Sequence, residues 1–166
     1  MKIGLISDTH IPNRAKRIPQ EFLDWFIDEN VDMIIHCGDV TSKESLKPLQ
    51  KITEDIKVVR GNSDYYDYPK ELLLSVDDWK IYVFHSSDVY PRGDVYQLYK
   101  RGIEKKVDIV IFGHTHIPFF TKVENIFLIN PGSATGVWSG EVENTPKSVA
   151  ILELKKKSIK ARYYII

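Results

Sequence analysis

The sequence predicts an α/β fold of two facing sheets with helices outside, and two observations lead there. The first two-thirds of the 166 residues alternate short apolar runs with amphipathic stretches, the pattern of parallel strands joined by crossover helices. From Pro118 onward only strands are plausible. The chain has the length of one domain, residues 1–166, and can bury roughly two-thirds of its unfolded surface without staples.

Ile3 to Ser7 reads as the first strand. After a loop from Ile11 to Ile18, Pro19 sets a first helical turn, and Phe22, Leu23, Trp25, Phe26 and Ile27 form one apolar face ending near Asn30. Val31 to His36 is a second strand. Thr41-Ser42-Lys43-Glu44 then offers a capping box for a helix carrying Leu46, Leu49 and Ile52. Pro48 is tolerable there only if the helix starts late or kinks, because a proline past the first turn removes a hydrogen bond and clashes with the turn before. Ile56 to Val59 is a third strand. Leu72 to Val76 and Trp79 to Phe84 form a hairpin about Asp77-Asp78, Asp94 to Lys105 a helix, and Val107 to Phe112 an apolar strand. Phe119 to Val123, Ile126 to Ile129, Val149 to Leu154 and Ile159 to Ile166 follow as strands, with turns at Glu124-Asn125 and at Lys155 to Lys157, a solvated charge run.

Composition excludes several classes. With 23 basic and 23 acidic residues there is no net charge to draw the chain to nucleic acid or an anionic membrane. The single cysteine, Cys37, allows no internal disulfide and no thiolate zinc site, and with no apolar run near the ~18 residues that span a bilayer the cytoplasm is the expected compartment. Nothing forbids a homo-oligomer.

The chemistry is concentrated just after strands. Asp8 and His10 follow the first, Asp39 the second, Asn62 and Asp64 the third, His85 ends the hairpin strand, and His114 with His116 follow the strand ending at Phe112. In open α/β sheets ligands bind beyond the carboxyl ends of strands, so these clusters should meet on one rim. Imidazole, carboxylate and amide oxygen together suit first-row metals such as manganese, iron, nickel, cobalt or zinc, whereas calcium and magnesium prefer all-oxygen shells. The spacing in Asp8-Thr9-His10 and His114-Thr115-His116 puts the outer residues on one side of an extended segment. About seven ligands are more economical for two ions than for one, with Asp39 as the natural bridge. Alone, an Asp-x-His or Gly-Asp pair is a turn or cap; together, beside Gly38, Gly61 and Gly113, which allow close backbone approach, they describe a metal centre. His36 reads instead as a buried, hydrogen-bonded histidine behind the ligands, and Cys37 as a packed residue.

Ser7-Asp8-Thr9-His10, Cys37-Gly38-Asp39, Gly61-Asn62-Ser63-Asp64, His85 and Gly113-His114-Thr115-His116 together resemble the calcineurin-like metallophosphoesterases. Asp8 to Pro12, Thr41 to Ser45, Arg60-Gly61 and Asn130 to Gly136 resemble its small phosphodiesterase branch, which includes the retromer subunit of this fold. The resemblance implies an α/β/β/α four-layer sandwich and a phosphate-ester substrate. It also implies two divalent ions, manganese first, with nickel, zinc, iron or cobalt as alternatives. Asp8, His10, Asp39 and His116 would hold one ion and Asp39, Asn62, His85 and His114 the other, with a bridging water or hydroxide as nucleophile; Asp39, Asn62 and His114 also count as catalytic.

Two departures bear on activity. Many relatives carry, after Gly-Asn, a histidine that protonates the leaving group, where this chain has Ser63. General acid help is typically worth about 10² to 10⁴ in rate, so diesters and good leaving groups are favoured. After His85 the family often reads His-Gly-His, whereas this chain has Ser86-Ser87, which affects loop shape and access. The Asn130 to Gly136 stretch reads as a tight turn beside the site, and Arg14, Lys16 and Arg17 as solvated loop charges. The alternative to an enzyme is a weakly active or inactive protein-binding scaffold like the retromer subunit; a nuclease would need a basic groove.

Overall fold

The computed structural model describes residues 1–143, 145–156 and 158–166, so Lys157 of the expected Lys155 to Lys157 turn lies outside the described residues. Side-chain alternation determines the layers. In β1 (Lys2–Ile6) and β2 (Met33–His36), Ile3, Leu5, Met33 and Ile35 enter one buried cluster, while Ile6 and Ile34 enter another on the opposite face. Strands apolar on both faces need cover on both sides. The second sheet repeats this: Ile81, Val83, Ile109 and Ile111 of β5 (Trp79–Phe84) and β6 (Ile109–Phe112) join the first cluster, and Tyr82, Phe84, Val110 and Phe112 pack outward.

The first sheet adds β3 (Ile56–Val58), β9 (Ser148–Lys155) and β10 (Ser158–Ile165), in the order β10-β9-β1-β2-β3. The second adds β4 (Glu71–Val76), β7 (Pro118–Val123) and β8 (Ile126–Pro131), in the order β4-β5-β6-β8-β7. The β-rich end of the chain is therefore divided between the sheets, and its last two strands return to the first one, β9 beside β1 and β10 at the edge. Strands β1, β2 and β3 run parallel, as do β5, β6 and β8. Helix α1 (Gln20–Asp28) buries Phe22, Leu23 and Phe26 against the first sheet, and α3 (Val95–Lys105) sets Leu98 against the second. The expected α/β/β/α sandwich is the observed one.

Two local expectations change. Ile27, placed on the apolar face of α1, is 53% exposed, because the buried stripe is only Phe22, Leu23 and Phe26. The capping box at Thr41 does not form: the Thr41 hydroxyl donates to Ile11 O at 2.7 Å, and Ser42 accepts from Glu44 N at 3.2 Å. A 3-10 turn, Lys43–Leu46, then precedes α2 (Lys47–Gln50), so Pro48 falls in the first turn of an α-helix that starts late. No helix among the described residues is long and apolar enough to cross a membrane.

A charge cluster ties β10 and β1 to the end of α1. Arg162 grips Glu29 with both guanidinium nitrogens at 2.6 Å, and Lys2 Nζ donates to the same carboxylate at 3.0 Å. The hydrogen bonds from Arg162 and then Lys2 lower the Glu29 carboxyl from 4.5 to about 2. A depressed folded value stabilises above the unfolded pKa and is lost as pH falls through the folded one. Glu29→Gln should therefore unfold at lower urea than the native chain at pH 7, with the gap closing between about pH 4.5 and 2. A gap independent of pH would show that the cluster contributes nothing through ionisation.

Candidate metal centre

The seven expected ligands come from five segments that follow β1, β2, β3, β5 and β6. Those strands are parallel within each sheet, so their carboxyl ends share a rim, and the residues do converge there. The route is not the extended one. Asp8, His10, Asp39, His114 and His116 all have left-handed backbone, with φ of 52°, 47°, 56°, 68° and 61°. Each such non-glycine residue costs on the order of 1 kcal/mol, and the turns aim side chains where an extended segment would not. His116 thus joins Asp8 and His10, while His114 turns toward His85, their ring centroids 5.2 Å apart.

Two compact groups result: Asp8 with His10 and His116, and Asp8 with Asp39 and His85. His116 Nε2 lies 3.3 Å from Asp8 Oδ1 and 3.3 Å from His10 Nε2. Asp39 Oδ2 stands between the groups, 3.3 Å from His10 Nε2 and 3.4 Å from His85 Nε2. Asn62 Oδ1 is 3.1 Å from His85 Nε2. Asp8 is therefore shared by both groups, and Asp39 faces both from the other side. His114 stands outside either compact group.

Asp8 carries the test of whether a cation fits. Its Oδ2 accepts from the Ser7 hydroxyl at 2.5 Å and from His114 N at 3.0 Å. Its Oδ1 is fully buried and has no hydrogen-bond partner among the described residues, only imidazole nitrogens around it. An unpaired buried polar atom costs about 1–3 kcal/mol, and more when charged, unless something positive faces it. The imidazoles present lone pairs: His85 Nδ1 donates to Cys37 O and His116 Nδ1 to Val137 O, both at 2.7 Å, leaving each Nε2 free to face the cluster. Carboxylate and imidazole donors of this kind fit a borderline divalent ion.

The electrostatics agree with that state at His10 and His114, whereas His85 carries a proton until a cation displaces it. Burial lowers His10 and His114 to about 4, so both are neutral near pH 7. Burial opposes ionisation of Asp8 and Asp39, but the surrounding imidazoles, His85 above all, outweigh it and hold both carboxyls below their ordinary value. Burial likewise opposes charge on His85, yet the Asp39 hydrogen bond and the two carboxylates raise it to about 9. Without a cation the proton on His85 is what balances the acidic pair.

Asp64 supports this centre from behind, a role the sequence reading did not assign although Asp64 stands in the Gly61 to Asp64 motif. Its carboxylate accepts backbone N–H groups from Asp39 at 2.9 Å, Thr41 at 2.8 Å and Gly61 at 2.8 Å, which fixes the turn that presents Asp39. Ser63 donates to Asp39 through its N at 2.7 Å and its hydroxyl at 3.1 Å. Gly61 permits the approach: a Cβ there would lie 2.1 Å from Asp39 Oδ1. The turn 130–136 is structural, with the Ser133 hydroxyl donating to Asp8 O at 2.9 Å and Thr135 to Thr9 O at 3.0 Å. His36 is buried, its Nε2 3.2 Å from the Thr9 hydroxyl. Burial pushes the Cys37 thiol up, which leaves it inert. Arg14 is tied to the rim by donating to Trp138 O at 2.7 Å.

Asp64→Ala removes the acceptor of three amides without touching a ligand. It should weaken Mn²⁺ or Zn²⁺ binding, measured by titration calorimetry, by about 10- to 100-fold. Native affinity in that variant would show that the Asp39 turn holds without Asp64.

Comparison with known proteins agrees with this centre. The model of the calcineurin-like phosphoesterase superfamily domain matches residues 1–157. A protein of Methanocaldococcus jannaschii named "Probable metallophosphoesterase" is 48% identical over 135 residues, covering 81% of this chain and 69% of the relative. Among solved structures, a single mutant of Vps29 from Entamoeba histolytica is 29% identical with a TM-score of 0.88, covering 100% of this chain and 99% of that one. A structure described as a novel archaeal phosphodiesterase is also 29% identical, with a TM-score of 0.75 and 100% of both chains covered. With a family model spanning nearly its whole length, the chain belongs to the calcineurin-like phosphoesterase superfamily.

Proposed function

We propose that the chain is a divalent-metal-dependent phosphodiesterase, one domain over residues 1–166, working in the cytoplasm. The observation that carries this is the buried, unpartnered Asp8 Oδ1 surrounded by imidazole nitrogens. Asp8, His10, Asp39 and His116 would hold one ion and Asp39, Asn62, His85 and His114 the other, with manganese first among nickel, zinc, iron and cobalt. Bound there, two cations supply a nucleophile from water near neutral pH and stabilise charge during in-line displacement at phosphorus. The chain's own part is to orient. Hydrogen bonds to Cys37 O and Val137 O fix the His85 and His116 rings, and Ser63 holds Asp39.

The preference for diesters rests on Ser63, whose hydroxyl donates to Asp39 Oδ2 at 3.1 Å and is a poor acid for a leaving group at neutral pH. The archaeal phosphodiesterase among the solved structures supports the same choice. The likeness to Vps29 favours a second reading, a weakly active or inactive protein-binding scaffold. Exposed Ile117 and Tyr65, adjacent in sequence to His116 and Asp64, suit a covered rim.

Hydrolysis of bis(4-nitrophenyl) phosphate and of 4-nitrophenyl phosphate by metal-stripped protein, with single metals restored, separates these. The diester should turn over faster, only with metal, and Asp39→Ala and His114→Ala should each lose at least about 100-fold. Stoichiometric metal binding without turnover of either ester would favour the scaffold.

A further inference from the structure

A cleft opens beside the metal centre. Asn62 and His85 line it together with Arg60, Lys70 and Arg101, around a volume of about 410 Å³. The two carboxylates in these walls are already neutralised. Asp88 pairs with Arg101 at 2.5 Å, and Glu71 pairs with Lys105 while accepting from the Tyr82 hydroxyl at 2.7 Å. Arg101 is further fixed over the Phe84 ring, 5.6 Å from its centroid. Arg60 and Lys70 are exposed and make no ion pair among the described residues, so the cleft keeps two uncompensated positive charges.

This local excess stands out on a chain with no net charge. A cleft with excess positive charge raises the local concentration of an anionic ligand, and guanidinium and ammonium groups both bind phosphate oxygens. We infer that the cleft is a subsite for a second phosphate on the group joined to the reacting phosphorus, so the preferred substrate is a small phosphodiester that carries another phosphate. The inference rests on the phosphoesterase reading above and narrows its substrate class. It gives Arg60 and Lys70 a role in specificity: one phosphoryl group sits among the metal ligands while the second is held beyond Asn62 and His85.

The test compares substrates in the same preparation. Thymidine 3′,5′-bisphosphate and thymidine 5′-monophosphate are titrated into manganese-loaded protein by calorimetry at low salt. Dithymidine monophosphate, with and without a further terminal phosphate at either end, is assayed for hydrolysis. The bisphosphate should bind about tenfold more tightly than the monophosphate, and one terminally phosphorylated dinucleotide should gain a similar factor, mainly through KM. Arg60→Ala/Lys70→Ala should erase both differences, and Lys70→Glu alone should reverse the sign of the binding difference. Equal binding of the two nucleotides by the native protein, or a preference that survives the double variant, overturns the subsite. Affinity that keeps rising through longer oligothymidylates overturns the small substrate in favour of a strand. A binding preference with no hydrolysis of any diester leaves the subsite standing and fails the phosphoesterase reading; hydrolysis without preference does the reverse.

Discussion

A fully buried carboxylate oxygen with nothing to accept from is the constraint around which this rim is organised. Asp8 Oδ1 faces His116 Nε2 at 3.3 Å and lies near His85 and His10, while the other oxygen of the same carboxylate is fully engaged by Ser7 and His114. A structural carboxylate would satisfy both oxygens, because leaving one unpaired in a low-dielectric interior is expensive. The arrangement makes sense when the missing partner is a cation. Asp39 then provides the second negative group, and the carbonyls of Cys37 and Val137 set which ring nitrogen of His85 and His116 can coordinate.

Such a rim needs a stiff frame. Five site residues sit in left-handed backbone, together a cost on the order of several kcal/mol that local preferences would relieve if the segments were free. They are held because each follows directly from a strand whose residues are buried on both faces, and because Asp64, Ser133 and Thr135 bond the backbone of the turns themselves. Close approach matters as much as bonding. Where Gly61 and Gly113 lie, a Cβ would come within 2.1 Å of Asp39 Oδ1 and 2.3 Å of Ser7 Oγ, so the loops could not nest with any larger residue. The strong core thus supports a strained and specialised edge, as functional sites commonly do.

Most strands, the hairpin and α3 were legible because apolar period and turn residues agree at those segments: Asp77-Asp78 between a leucine-rich and an aromatic-rich run, and Asp94 as a cap accepting from Gln97 N at 2.8 Å. The position of the candidate ligands after strand ends was legible for the same reason. What was not legible depends on contacts far apart in sequence. Thr41 gave up its capping role to bond Ile11 O, thirty residues earlier, and Asp64 bonds three amides on two separate stretches of backbone, the turn at Asp39 to Thr41 and Gly61. The left-handed turns at Asp8, His10, His114 and His116 replaced the extended segments that residue spacing suggested, which is why His114 and His116 face different neighbours. The basic cleft was hidden because net charge sums over the surface, whereas pairing of Asp88 and Glu71 with their own partners leaves Arg60 and Lys70 exposed in one place.

Whether Asp8 is held ionised and half-paired for a cation is tested most directly by thermal melting of Asp8→Asn beside the native chain, each stripped of metal and then given Mn²⁺. Asparagine keeps an oxygen for Ser7 and His114 and turns an N–H toward His116, so the stripped variant should melt at or above the stripped native protein, while only the native chain should gain stability from the metal. A stripped variant that melts lower, together with an undiminished gain from Mn²⁺, would mean that Asp8 is a structural carboxylate and that any cation is held without it.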